Sequence, residues 1–210
     1  MKKVTLKIFV VIVVALIIGG THLLYSTTLL HRNLKELVTI ADRVFIGKCI
    51  SVQGTEVQLS GGKIYATEYT FEVSESLKGS VGDVITFRQY GLSKPKQVGD
   101  ELMYYGKIPA MPTYNENEAY MLFLGRDSKL GLTSPVGLFQ GAFSIQQDNY
   151  GRQVAVNGIF NRGLFKDMDA SEIQGLNLTQ SEQRFVTKTS GPLFLHDFVS
   201  VVKKHVKTYK

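Results

Sequence analysis

The sequence contains a single cysteine, Cys49, among 210 residues, so an intramolecular disulfide is excluded. A domain exported from the cytoplasm would then depend on core packing alone, which a chain of this length allows. Cys49 lies in the apolar run Val44–Ile50, and free cysteine is among the most buried residue types. Lys48 precedes it and the apolar leader ends far upstream, which argues against lipid attachment. We therefore predict that Cys49 is a buried strand residue rather than a nucleophile or a lipid-attachment site.

Motifs that carry catalytic or metal chemistry are also missing from the sequence. The four histidines are scattered, and no two have H-x-x-x-H or H-E-x-x-H spacing. No serine lies in G-x-S-x-G, and no glycine-rich phosphate loop is present. The clustered acids lie close together on predicted turns, whereas a glycosidase needs two carboxylates that converge across a cleft. We therefore predict no catalytic residue, no metal site and no cofactor.

Excess positive charge is confined to the two ends of the chain. Residues 1–25 carry three lysines and no acid, and residues 196–210 carry four lysines and one aspartate. The span between them, 26–195, holds 17 basic and 17 acidic residues. Because this body is neutral, a nucleic-acid-binding face is not indicated, and we expect no nucleic-acid partner.

The first 25 residues have the composition of an export segment. Three lysines precede the unbroken apolar run Ile8–Ile18, and such lysines stay in the cytoplasm. A helix over residues 8–25 would span about 27 Å, just enough for a bilayer core. No A-x-A-like cleavage site follows. The pattern predicts a single-pass membrane anchor or, alternatively, a cleaved signal peptide of a secreted protein, and both place the rest of the chain outside the cytoplasm.

The clearest periodicity in the chain runs from Ile64 to Gly79. One parity of this stretch is aromatic or β-branched and the other is mostly polar, which is typical of a half-buried β-strand. Ala119–Leu124 is apolar at every position, which predicts a strand buried on both faces. Further strands are predicted at Arg43–Val52, Glu56–Leu59, Val84–Arg88, Val136–Gln146 and Gln153–Asn157.

Helices are predicted at both ends of this β-rich region. Apolar residues at spacings of four, three and four predict a short leading helix whose stripe is Leu30, Leu34, Leu37 and Ala41. A C-terminal helix is predicted over 192–210, with Pro192 in its first turn. Its apolar stripe is formed by Leu195, Phe198, Val202 and Val206. This stripe favours a helix packed on the sheet over one bound to a membrane surface.

The predicted organisation has four parts. A leader, 1–25, precedes a β-barrel domain with its leading helix, 26–160. A polar loop, 161–191, has one helical turn near Ser181 and precedes the C-terminal helix, 192–210.

Tyrosines are the remaining candidates for a recognition surface. Aromatic side chains on a β-sheet can bind sugars, peptides or bases. Tyr104 and Tyr105 lie in an ambiguous segment, and Tyr114 lies in the polar loop Pro109–Glu118. We predict these three tyrosines as possible recognition residues and expect Tyr114 to be the most exposed.

Four short segments together resemble a family of uncharacterised exported bacterial proteins: Ala41–Gly47, Tyr69–Gly79, Glu118–Leu124 and Val136–Gly141. That family is similar to the netrin-like barrel of the tissue inhibitors of metalloproteinases. The resemblance covers roughly residues 34–147 and implies a mainly β, OB-like (netrin-like) antiparallel barrel with flanking helices. Those inhibitors use an amino-terminal cysteine and disulfides, which this chain lacks. Neither protease inhibition nor any binding residue is therefore carried over.

The sequence thus predicts a non-catalytic, extracytoplasmic, membrane-anchored module that binds a protein or an envelope polymer. One alternative is an enzyme whose site has no recognisable motif. The other is an OB-type domain that binds single-stranded nucleic acid, which would need a basic aromatic groove.

Overall fold

A computed structural model describes residues 29–106 and 108–209 of the protein. The predicted leader, residues 1–25, lies outside these ranges, and so does the proposed anchor at 8–25. Within the described ranges, none of the helices has the length and apolar character that crossing a membrane requires.

The described chain is mainly β, with helices flanking the strands as predicted. In chain order the elements are α1 (Leu34–Ile40), β1 (Arg43–Leu59), β2 (Gly62–Lys78), β3 (Val84–Tyr90), β4 (Lys96–Val98), β5 (Glu101–Met103), β6 (Ala119–Leu124), a 3-10 turn (Leu138–Gln140), β7 (Ala142–Gln147), β8 (Gln153–Asn157), α2 (Ala170–Gly175), α3 (Gln180–Val186), β9 (Leu193–Phe194) and α4 (Leu195–Thr208).

Seven strands form one antiparallel sheet in the order β3-β2-β1-β6-β7-β8-β9, and β4 pairs with β5 alone. Register irregularities interrupt β1 at three points, and such bulges bend a strand and increase its twist. A bridge between Arg88 in β3 and Leu132 partly closes the curled end. Among the described residues, however, no ladder joins β3 to β9. The sheet is therefore open rather than the closed barrel that was predicted.

Two buried clusters lie on opposite faces of this sheet. The outer cluster joins the sheet to the helices, with Met121 and Phe123 of β6 packed in the same core as Phe198 of α4. The inner cluster is rich in aromatic residues and contains Leu122 and Leu124 from the other face of β6. The prediction that Ala119–Leu124 is buried on both faces is confirmed, and so are its bounds.

The strand predicted between Ile64 and Gly79 is also confirmed as β2. Its partner β1 is longer than predicted. Tyr69 and Phe71 of β2 are buried in the inner cluster, as their parity predicts. Arg43–Val52 and Glu56–Leu59, predicted as two strands, form one continuous strand of 17 residues. Gly54 does not end this strand, because β1 pairs with β2 on both sides of it, as far as the turn.

The leading helix begins later than its apolar spacing suggests. Asn33 caps α1 in a capping box, where its Oδ1 accepts from the Glu36 N–H at 3.0 Å. Leu34 and Leu37 are fully buried, whereas Leu30 lies before the cap and is 66% exposed. Leu30 is therefore not part of the stripe.

The helical turn predicted near Ser181 is confirmed, but the rest of segment 161–191 is more ordered than the polar loop that was predicted. The segment contains α2 and α3, and its apolar side chains Leu164, Phe165 and Phe185 join the outer cluster. Weak periodicity hides these helices because each is no longer than seven residues. The C-terminal helix packs on the sheet, as predicted, but it begins at Leu195 because Leu193 and Phe194 first form β9.

A buried ion pair connects α3 to α4. Glu182 accepts from Lys204 Nζ at 2.6 Å and from Ser200 Oγ at 2.5 Å, and only 3% of its side chain is exposed. Burial alone would raise the pKa of Glu182. The hydrogen bonds from Lys204, Ser200 and Thr179 outweigh that effect and lower the pKa to about 2.

We expect Glu182→Gln to lower the free energy of unfolding by about 2 kcal/mol at neutral pH, because Lys204 loses its buried counter-charge. The wild-type carboxylate has a pKa below its ordinary value of 4.5, so its stabilising effect is present above that pH and is lost as the pH falls toward 2. Urea unfolding at pH 7 and pH 3 should therefore show a smaller difference between the two proteins at pH 3.

The control is Glu68→Gln, which removes the more exposed ion pair with Arg88. We expect this change to cost less than about 1 kcal/mol at either pH. A wild-type to Glu182→Gln difference that does not change with pH would contradict the assignment of the charged pair.

Candidate functional site

Residues 91–106, which we call the arm, leave the end of β3 and return beside it. The two ends meet at Gly91 and Gly106, with φ angles of 87° and 66°. The Leu92 N–H donates to the Tyr105 carbonyl at 2.9 Å. A side chain at Gly91 would collide with the Gly106 carbonyl, so glycine is required there for both its backbone conformation and its size.

A buried threonine fixes the arm to the sheet. Thr67 is 1% exposed and lies on the inner face of β2. Its hydroxyl donates to the Gly91 carbonyl at 2.7 Å and accepts from the Ser93 N–H at 2.8 Å. The side chain thus satisfies two backbone groups where the arm begins, which fixes the path of the arm above the sheet.

A cleft of 580 Å³ lies between the arm and the distal end of the β1–β2 hairpin. We call it the hairpin cleft. Its size is in the range of small-ligand and peptide side-chain sites. Gly54 has no side chain to fill it, and Leu92 is the nearest group to the missing Cβ. The walls are formed by Val52, Gly54, Thr55, Glu56 and Tyr65 from the hairpin and by Leu92, Ser93, Lys94, Pro95 and Lys96 from the arm.

Tyr65 is the central aromatic side chain of the hairpin cleft. Its ring packs on Tyr105, with 4.1 Å between centroids. The ammonium groups of Lys63 and Lys96 lie 5.5 Å and 5.0 Å from its centroid. The predicted recognition residue Tyr105 therefore packs against Tyr65, whose ring is also flanked by two lysines.

Glu56 connects the same two lysines. Its carboxylate accepts from Lys63 Nζ at 2.9 Å and from Lys96 Nζ at 3.2 Å. Hydrogen bonding, from Lys63 first and then from Lys96, lowers the pKa of Glu56, and the same carboxylate raises the pKa of Lys63. Lys94 adds another cation, so the three lysines exceed the one acid among the residues that wall the cleft or flank Tyr65.

A smaller depression of 160 Å³ lies on the other side of Leu92 and Ser93. Tyr104 lines it and is 67% exposed. Gln89, also in the lining, is 2% exposed and donates from Nε2 to the Pro112 carbonyl at 2.7 Å. Its Oε1 has no hydrogen-bond partner among the described residues. An unpaired buried acceptor of this kind is uncommon in folded proteins.

Tyr114 is buried, which contradicts the expectation that it would be the most exposed of the three tyrosines. It is 3% exposed and sits in the inner cluster, with ring centroids 4.8 Å from Tyr69, 5.4 Å from Phe71 and 5.1 Å from Tyr120. Burial raises its pKa well above the ordinary value. The polar segment around it conceals this role, because its partners come from distant strands.

Cys49 is buried, as predicted. Its thiol lies 3.7 Å from the Ser51 carbonyl, and burial raises its pKa, which disfavours the thiolate. In the described part of the chain, no three histidine, cysteine, aspartate or glutamate side chains lie close enough together to hold a metal ion.

Of the three predicted tyrosines, Tyr104 lines the smaller depression, Tyr105 packs on Tyr65 of the hairpin cleft, and Tyr114 is buried in the inner cluster. No sequence motif singles out Lys94, Pro95 or Lys96 as site residues. The pairing of Lys96 with Glu56 joins residues 40 positions apart in the chain, so no local pattern indicates it.

No protein-family model matches the sequence, and comparison with curated proteins finds no similar chain. The resemblance to the netrin-like barrel of metalloproteinase inhibitors therefore stays a prediction.

Gly91→Ala should loosen the arm, because alanine is strained at this φ and its Cβ collides with the Gly106 carbonyl. We expect a loss of about 2 kcal/mol in the free energy of unfolding and faster proteolytic cleavage within 91–106. Limited proteolysis with mass spectrometry locates the cut.

The control is Gly99→Ala at the tip of the arm, where φ is 61° but a Cβ would meet no atom within 4 Å. It should cost about 1 kcal/mol from backbone strain alone and leave the cleavage pattern unchanged. Equal effects of the two substitutions would show that the crossing at Gly91 does not hold the arm.

Proposed function

We propose that the protein is a non-catalytic extracytoplasmic binding module and that the hairpin cleft is its ligand site. The observation that carries the proposal is the cleft itself, which is lined by Tyr65, Lys94 and Lys96. Tyr105 packs on the Tyr65 ring, and Lys63 flanks it. Aromatic rings and cations in a preformed concave site bind ligands without any covalent step.

The location outside the cytoplasm rests on the leader sequence, with its lysines before the apolar run Ile8–Ile18. The leader either anchors the module or is removed on export. A ligand in the cell envelope, either a protein or a polymer, follows from that location.

An OB-like arrangement forms part of the same proposal. A curled sheet with β1 pairing to both β2 and β6, partly closed through Arg88 and Leu132, supports it. OB-type domains bind ligands on an exposed sheet face between loops. The hairpin cleft, between a sheet face and the arm, has an equivalent position.

Single-stranded nucleic acid is the second candidate ligand for this cleft. Tyr65 flanked by Lys63 and Lys96 suits a base stacked beside phosphates. Glu56 lies between these lysines and would repel a phosphate, and the neutral body offers no basic track beyond the cleft. We therefore place a protein or an envelope polymer first.

The test is retention of an envelope component on the immobilised full-length protein in mild detergent. The double variant Lys96→Glu, Tyr105→Ala reverses one charge of the cleft and removes the ring that supports Tyr65. We expect it to lower retention at least about tenfold, as the loss of a charged contact and an aromatic contact together would. Quantitative mass spectrometry and sugar analysis of the eluate identify what is bound.

The control is Tyr150→Ala, which removes an 83% exposed ring at the β7–β8 turn. It should retain as much as the wild type, and both variants should unfold near the wild-type temperature. Equal retention by all three proteins, or turnover of a substrate by the wild type, would overturn the proposal. Salt-sensitive binding of an oligonucleotide that the double variant loses would favour the second candidate.

A further inference from the structure

Within residues 29–106 and 108–209, no strand pairs with the outer side of the distal half of β1. β1 pairs with β2 from Val44 to Leu59, but its pairing with β6 ends at Lys48. Two backbone bonds with the segment near Glu118 continue as far as Cys49. Beyond Val52, no backbone partner lies along this edge within the described residues.

The outward groups of this edge follow from the alternation of an antiparallel ladder. The Val52 N–H points away from β2 and donates to Glu116 Oε1 at 3.1 Å. Residues two apart present their backbone groups on the same side of a strand. Gly54, Glu56 and Gln58 therefore direct their N–H and C=O groups outward, whereas Thr55 and Val57 direct theirs to β2.

Two of these positions, together with Val52, lie along the hairpin cleft. Val52, Gly54 and Glu56 line the cleft and pair across to Tyr69, Thr67 and Tyr65. A strand added at this edge would lie about 4.8 Å from β1. Each of its residues opposite Gly54 or Glu56 would direct its side chain to the cleft side.

Charge favours an acidic side chain at one of these places. Gly54 has no side chain, and Lys94 and Lys96 lie across the cleft from it. Glu56 disfavours an acid directly opposite itself, and Glu116 does so at the Val52 end of the edge. The position opposite Gly54 is thus the place where an acid meets cations with the least repulsion.

We propose that the free edge of β1 at Gly54–Gln58 binds an extended polypeptide as an added antiparallel strand, with an acidic side chain opposite Gly54 in the hairpin cleft. This inference rests on the proposed function and names the ligand class of the same site. Backbone hydrogen bonds would supply affinity, and the cleft would select the side chain. A polysaccharide has no regular N–H and C=O ladder and would leave the outward groups of β1 unsatisfied.

The probe is a capped nonapeptide with one central glutamate among threonines, measured by fluorescence anisotropy with the full-length protein. We expect it to bind at least about tenfold tighter than the same peptide with a central lysine, because the lysine would face Lys94 and Lys96. Equal affinities would overturn the charge assignment.

N-methylation of the peptide separates strand addition from other modes of binding. In an antiparallel pair, residues directly opposite each other that exchange both hydrogen bonds also share a face. Methylating the glutamate and the threonines two positions before and after it therefore removes the central donors that face β1, and binding should fall at least about tenfold. Methylating the other parity should leave most of the affinity. Equal loss in both series would overturn the proposal.

The protein side of the test uses Gln58, whose N–H points outward. Gln58→Pro removes that N–H without affecting a bond to β2, and proline is tolerated at such edge positions. We expect about fivefold weaker binding, as for one lost hydrogen bond, and a smaller effect for Gln58→Ala, which keeps the N–H. A larger effect of Gln58→Ala would assign the interaction to the side chain and overturn the edge proposal.

The two proposals fail in distinguishable ways. If the Lys96→Glu, Tyr105→Ala variant loses an envelope component while no peptide binds the edge, the strand-addition proposal is wrong and the binding-module proposal stands. If neither an envelope component nor any peptide binds the wild type, both are wrong.

Discussion

The structure depends on one mismatch in strand pairing: β1 is bonded to β2 along almost its whole length but to β6 only over its first six residues. The proximal part is a central strand, with the helices on one side and the aromatic cluster on the other. The distal part pairs with β2 alone, and beyond Val52 its other edge has no backbone partner in the part of the chain that the structure describes. Natural proteins usually shield such edges. An edge left open over Gly54–Gln58 therefore suggests a role in binding.

The arm forms the second wall of the hairpin cleft, opposite the distal end of the β1–β2 hairpin. Its path is determined where two glycine backbones cross and where the Thr67 hydroxyl satisfies both Gly91 and Ser93. Above that point, Lys96 reaches Glu56 and the tyrosine rings of the arm and β2 pack together. The cleft is therefore a consequence of backbone geometry at the base of the arm. Its chemistry comes from side chains 31 to 40 residues apart in the chain.

Local periodicity predicted two kinds of strand: those buried on both faces, and those in which apolar and polar residues alternate regularly. Ala119–Leu124 and Gln153–Asn157 have the predicted bounds, and the aromatic parity of β2 faces the inner core. Periodicity could not predict the open sheet, because closure depends on register between strands distant in sequence. For the same reason it misplaced Tyr114, whose polar neighbours in sequence are not its neighbours in space. None of the residues that line the hairpin cleft was named as a site residue from the sequence: Tyr105, which was named, packs behind Tyr65, and Tyr104 lines the smaller depression.

Whether the distal edge of β1 is open is tested most directly by amide hydrogen exchange along β1 of the unliganded full-length protein, resolved by residue. We expect alternation: slow exchange at Gln53, Thr55 and Val57, which bond to β2, and fast exchange at Gly54, Glu56 and Gln58, which face away from it. Slow exchange at all six amides would contradict it, because the edge would then already be covered.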